Sequence, residues 1–156
     1  MIPIQFVLDT YISKGKSLYV KEDYYIKFVP EVNNTSYNWR LSIDTLSFLV
    51  EPETKIFIAL DAYCPTTYWL IEDLKIPLIN QRVAIRFNVD FDSNGIGIRT
   101  KDFRLQYIAC PDKSIVLIRL LKTKISQYVQ FADSLIAGLD YENNLVEIFI
   151  YNIDIK

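Results

Sequence analysis

Apolar and polar residues alternate with a period of two along most of this chain. Val83, Ile85, Phe87, Val89 and Phe91 interleave with Arg82, Ala84, Arg86, Asn88 and Asp90. That is the pattern of a strand with one face on a core and the other in water. Trp39, Leu41 and Ile43 alternate with Arg40 and Ser42, and Tyr24, Ile26 and Phe28 with Tyr25 and Lys27. Phe103, Leu105 and Tyr107 alternate with Arg104 and Gln106. Runs that are apolar on both faces, residues 56–60, 115–121 and 145–151, predict central strands covered from two sides.

Short turn signals separate these runs. They are Lys14-Gly15-Lys16, Glu51-Pro52-Glu53-Thr54, Asp92-Ser93-Asn94-Gly95, Cys110-Pro111-Asp112-Lys113 and Glu142-Asn143-Asn144. Asn and Gly tolerate the positive φ of tight hairpins, and Pro sets φ for a turn. The spacing predicts a mainly β domain: an antiparallel β sandwich or partly open barrel of about eight to ten strands with one or two short helices. Residues 66–74 follow a proline and suit a short amphipathic helix. Ile125, Tyr128, Val129, Ala132, Leu135, Ile136 and Leu139 recur at helical spacing, with Gly138 placed to cap the end. They predict a helix up to about residue 133 and a strand beyond it. The rival architecture is an α+β domain with a helix near 122–138 packed on an antiparallel sheet. Ala62-Tyr63-Cys64-Pro65 and Ile108-Ala109-Cys110-Pro111 echo each other, but no wider match accompanies them and the echo reads as chance.

Composition sharpens the β reading. Eleven Tyr, 9 Phe and 2 Trp against only 4 Gly favour a pleated, half-buried surface. At 156 residues the chain fits one domain able to bury a core without metal or disulfide staples. A net charge of −2 offers no general attraction for nucleic acid or anionic lipid. Locally, Arg99, Lys101, Arg104, Lys113, Arg119, Lys122 and Lys124 make residues 99–124 basic, and an acidic stretch follows to the end. The start of the sequence lacks a secretory signature and no apolar run spans a membrane, so the expectation is a cytoplasmic protein with no membrane partner. Cys64 and Cys110 are then expected reduced and buried.

The chain has no histidine. Ser–His–Asp and Cys–His machinery and His-containing zinc sites are thereby excluded. Asp90, Asp92 and Asn94, with Gly95, reproduce the first half of a calcium loop, but Lys101 stands where a bidentate Glu is required. They form a weak calcium candidate beside the simpler reading of a solvated hairpin turn. Gly15-Lys16-Ser17 matches the end of a phosphate loop, yet Thr10 replaces its first glycine. Asp61, with Glu72 and Asp73 nearby in sequence, is the carboxylate set on which glycoside-type chemistry would rest. Phe103 and Tyr107 within the basic stretch suit a weak nucleic-acid binder, although alternation turns the rings towards the core. Tyr11, Tyr19, Tyr24, Tyr25, Tyr37, Tyr63, Tyr68 and Tyr151 exceed what a core can satisfy and suit a contact surface. The expected function is a non-catalytic interaction domain without cofactor, either self-associating through a strand edge or serving a protein partner as an inhibitor or immunity-type protein. A carboxylate-dependent enzyme acting on a sugar or small molecule is the alternative.

Overall fold

The computed structural model describes residues 1–32, 38–91 and 105–156. Among them, β1 (Ile4–Val7) and β9 (Ala84–Phe87) pair antiparallel as a two-stranded ribbon. A six-stranded sheet contains β2 (Gly15–Val20), β3 (Tyr25–Pro30), β4 (Trp39–Ile43), β5 (Leu46–Val50) and β6 (Phe57–Tyr63) in the order β2-β3-β6-β5-β4, with β15 (Asp154–Ile155) parallel to β2. A seven-stranded sheet contains β10 (Gln106–Cys110), β11 (Ile115–Arg119), β12 (Gln127–Ala132), β13 (Leu135–Leu139) and β14 (Leu145–Ile150) in the order β10-β11-β14-β13-β12. Its edges carry β7 (Trp69–Ile71), parallel to β10, and β8 (Gln81–Arg82), parallel to β12.

The two large sheets share one core, because their inward positions are apolar almost throughout, with Ser17 of β2 a buried polar exception. Ile26, Phe28, Leu41, Phe48 and Leu60 meet Val116, Ile118, Phe131, Leu135 and Ile148 in a single buried cluster. Phe57 and Phe131 bridge the sheets edge to face, with ring centroids 4.9 Å apart. The molecule is therefore a mainly β sandwich, and no closed barrel forms among the described residues.

Both large sheets also repeat one plan. Five consecutive strands are laid down in the same spatial order, a Greek-key return of the last strand beside the second. Their registers agree except at one extra bulge, between Gln130 and Ala132 in β12, which β4 lacks. Val20 faces Tyr25 as Cys110 faces Ile115, and Ile43 faces Leu46 as Ala132 faces Leu135. The register slips between Leu49 and Val50 in one sheet and between Gly138 and Leu139 in the other, so even the bulge recurs. Left-handed residues recur as well: Tyr24 (φ 59°) and Ser114 (φ 55°) end equivalent turns, as do Lys55 and Asn143, both at φ 62°.

The halves are interlocked rather than merely stacked. The strand that follows the first plan, β7, pairs with the second plan's β10, and the strand that follows the second, β15, pairs with the first plan's β2. Ile4 N–H donates to the Asn143 carbonyl at 2.9 Å, and Phe87 N–H to the Lys55 carbonyl at 3.2 Å. The Cys-Pro echo plays no part in this repeat, since Cys64 follows β6 whereas Cys110 ends β10.

Several sequence expectations are corrected. Residues 122–138 hold no helix; β12 and β13 occupy Gln127–Ala132 and Leu135–Leu139. Both faces are buried along β13 and from Val129 onward in β12, and two interleaved period-two patterns imitate helical spacing. Gly138 lies inside β13, where a Cβ would come within 2.8 Å of Glu147 Cγ. Residues 66–74 form a single 3₁₀ turn at Thr66–Tyr68 and then β7. Gly15 opens β2 instead of forming a turn, and a Cβ there would meet the Val29 carbonyl oxygen at 2.3 Å. The strand read over residues 83–91 ends at Phe87. Among the described residues no helix is long and apolar enough to cross a membrane.

Candidate functional site

The two outer faces of the sandwich differ although they are built on one plan. On the seven-stranded sheet, one transverse row runs Ile108, Leu117, Phe149, Ile136, Gln130. The same row on the six-stranded sheet runs Leu18, Lys27, Asp61, Ser47, Ser42. The first row is almost wholly apolar and the second mostly polar.

A cover explains the first. Between β7 and β8 the chain crosses the outer face of the seven-stranded sheet as an extended strap, residues 72–80. Leu74 on the strap is buried against Ile108, Cys110, Ile115, Leu117, Ile136 and Phe149, a second core distinct from the one between the sheets. Lys113 Nζ in the β10–β11 turn fastens the strap, donating to Asp73 Oδ1 at 2.6 Å and to the Leu74 carbonyl at 3.1 Å. At the far edge, Asn80 N–H donates to the Tyr128 carbonyl at 2.9 Å and Tyr128 N–H to Asn80 Oδ1 at 2.8 Å. Glu147, also on this face and 6% exposed, accepts from the Tyr128 hydroxyl and pairs with Arg119 at 3.5 Å.

The equivalent face of the six-stranded sheet has no such strap among the described residues. Polar groups satisfy one another across its centre: Arg40 Nη1 lies 3.2 Å from both oxygens of Asp61, and the Ser42 and Ser47 hydroxyls are 3.1 Å apart. Towards the β2–β3 turn the face becomes aromatic. Tyr63 stands edge-on to Tyr25 and Tyr24, with centroids 5.6 and 6.3 Å away, and Lys27 Nζ lies 5.6 Å from the centre of the Tyr25 ring. Leu18 and Val20 complete an apolar patch there, half-buried and open to solvent.

Three of the predicted tyrosines, Tyr24, Tyr25 and Tyr63, thus come together. The others disperse. Tyr19 is buried and donates to the Cys64 carbonyl at 3.2 Å, Tyr151 packs against the second core, and Tyr11 and Tyr68 are exposed elsewhere. Tyr37 lies outside the described residues. Lys27 and Arg40 were legible as outward positions of alternating strands, but nothing in the sequence marked their sheet as the one without a strap among the described residues.

The remaining candidates are not assembled into one site. Asp61 lies on the six-stranded sheet, paired with Arg40, while Asp73 lies on the strap over the opposite face, bound to Lys113. Asp90 is exposed, and Asp92 and Asn94 lie outside the described residues, among which no group of three or more potential metal ligands occurs. Of the basic stretch, Arg99, Lys101 and Arg104 lie outside the described residues, and Tyr107 is buried in the main core with its hydroxyl on Thr45.

Both cysteines are free and buried. Burial pushes the Cys64 thiol up to about 12, against the lowering effect of the Trp69 N–H donated to its sulfur at 2.9 Å, which disfavours the thiolate. An open cleft of about 1220 Å³ runs past Leu8, Tyr11, Lys14, Val32, Glu51 and Arg82. Its Glu51 carboxylate is held below the usual range by the N–H and hydroxyl of Thr54, which commits it to the β5–β6 turn as an anion. No protein-family model matches the chain, and no curated protein matches it.

Proposed function

We propose that this chain is a non-catalytic interaction domain that engages a protein partner through the outer face of the six-stranded sheet. The observation that carries the reading is the contrast between two faces of one plan. Where the face is apolar the chain covers it with its own strap, and the other face, which no strap covers among the described residues, joins a tyrosine patch to fixed charges. Tyrosine supplies large contact area at low entropic cost, and a central ion pair surrounded by hydroxyls gives orientation. An inhibitor or immunity-type role is one form this binding takes. A cytoplasmic setting suits two unpaired, buried thiols.

The test is affinity purification from the native host with the wild-type chain and with a Tyr25→Ser, Lys27→Glu variant. A partner retained by the wild type, lost by the variant and kept by the strap-surface control Lys75→Glu supports the reading. Identical captured sets overturn it, as does a strictly monomeric chain in sedimentation that captures nothing.

A further inference from the structure

The strap is an internal example of how this fold binds an extended segment. Because the two sheets share register, strap positions have counterparts on the other face. The first, Glu72 N–H on the Ala109 carbonyl, is matched by the chain's own Lys156 N–H on the Tyr19 carbonyl, and those from Asp73 onward face a surface without a strap among the described residues. Lys113, which holds Asp73, is the third residue of the turn between Cys110 and Ile115. The third residue of the matching turn, between Val20 and Tyr25, is Asp23, and Glu22 precedes it. Both are exposed. The charge at the fastening position is therefore reversed, in a turn that also carries the exposed Lys21 two residues earlier. Of the six residues clustered with Leu74, the three on β10 and at the start of β11, Ile108, Cys110 and Ile115, correspond to Leu18, Val20 and Tyr25, so the part of the patch beside the turn stays apolar. Beyond it, Leu117, Ile136 and Phe149 correspond to Lys27, Ser47 and Asp61, so the rest of the track is polar.

We infer that the face without a strap takes an extended partner segment laid across the strands as residues 73–80 lie across the other sheet, with a basic residue immediately before an aliphatic anchor. The basic side chain meets Asp23 and Glu22, the anchor sits on Leu18, Val20 and Tyr25, and polar residues follow over Lys27 and Asp61. Charge complementarity fixes the direction of the segment and rejects an acidic residue at the first position. This rests on the interaction reading above and narrows it to a partner chemistry.

Two eight-residue peptides copying residues 73–80 test it, one native and one carrying Asp73→Lys, each titrated into the isotopically labelled full chain. The lysine peptide is expected to shift the amide signals of Leu18, Val20, Tyr25 and Tyr63 and to bind about three- to tenfold more tightly than the native one, as one or two exposed charge contacts allow. Asp23→Lys, a change at an exposed turn, is expected to reverse that preference. Saturable binding at the face without charge preference, or with a preference that Asp23→Lys leaves unchanged, overturns the inference while the interaction reading stands. If neither peptide binds, the inference falls. If the Tyr25→Ser, Lys27→Glu variant also captures the same proteins as the wild type, the broader reading falls with it.

Discussion

The Arg40 guanidinium lies 3.2 Å from both carboxylate oxygens of Asp61, at register positions that hold Tyr128 and Phe149 in the other sheet. There the two rings meet edge to face, with centroids 6.0 Å apart. One position pair thus carries an ion pair where water reaches the face and an aromatic pair where the strap covers the sheet. Arg40 is 46% and Asp61 22% exposed, so solvent screens the pair. Arg40→Ala is expected to lower stability by less than about 1 kcal/mol. Arg40→Tyr with Asp61→Phe is expected to keep the fold but add an uncovered apolar patch and hence concentration-dependent association. Urea titration and sedimentation velocity check the two outcomes.

Leu74 is the one buried side chain of the strap, so the second core depends on it. Leu74→Ala is expected to cost about 2–4 kcal/mol, the usual range for deleting a buried leucine. The loss is local. Amide exchange should accelerate along residues 72–80 and at Ile108 and Phe149, while the main core stays protected. Lys113→Ala removes only the exposed fastening and is expected to cost about 1 kcal/mol or less. Hydrogen exchange monitored by mass spectrometry separates the two variants.

The exchange of β7 and β15 means that neither half completes its own sheet. Residues 1–78 alone lack the strand beside β2, and residues 79–156 alone lack the strand beside β10. Each fragment would also expose its face of the shared core, and unpaired edges and apolar faces drive association. Neither fragment alone is expected to give cooperative unfolding, whereas the co-expressed pair should form a one-to-one complex with a single thermal transition. Size-exclusion chromatography and calorimetry of the three preparations decide this.

Much of the sandwich could be read from alternation, because strands with one wet face declare themselves. Ile26 and Phe28 point in while Tyr25 and Lys27 point out, as their period requires. The second sheet resisted for a physical reason. Leu145–Ile150 and Leu135–Leu139 are buried throughout, and a segment with no polar face carries no phase by which strand and helix are told apart. The repeat was hidden because equivalent positions have opposite polarity: Lys27 answers to Leu117 and Asp61 to Phe149. Sequence similarity was lost at the very residues that distinguish the open face from the covered one. Of the site, the tyrosine excess was visible, but the clustering of Tyr24, Tyr25 and Tyr63 needed the β2–β3 turn brought beside the end of β6.

Acids of raised pKa, two of them buried and Tyr128 half-buried, are expected to set the alkaline limit of the fold. Burial raises Cys64 from 9.0 to about 12, and burial followed by the charge of Glu147 raises Tyr128 from 10.0 to about 12. Burial also pushes the Tyr107 hydroxyl up. In each case the folded chain keeps a proton that the unfolded chain releases sooner. Above the unfolded values the unfolded state binds fewer protons, so stability falls as pH rises. The contribution is fully present below about pH 9 and is lost between about 9 and 12. Urea midpoints should owe no change to these groups from pH 7 to 8 and drop steeply above 9.5. Cys64→Ser keeps an acceptor for Trp69 but does not ionise in this window, and Tyr128→Phe removes a phenol. Together they are expected to flatten part of the drop, measured against the loss each causes at pH 7. An undiminished slope in the double variant would assign the alkaline transition to other groups.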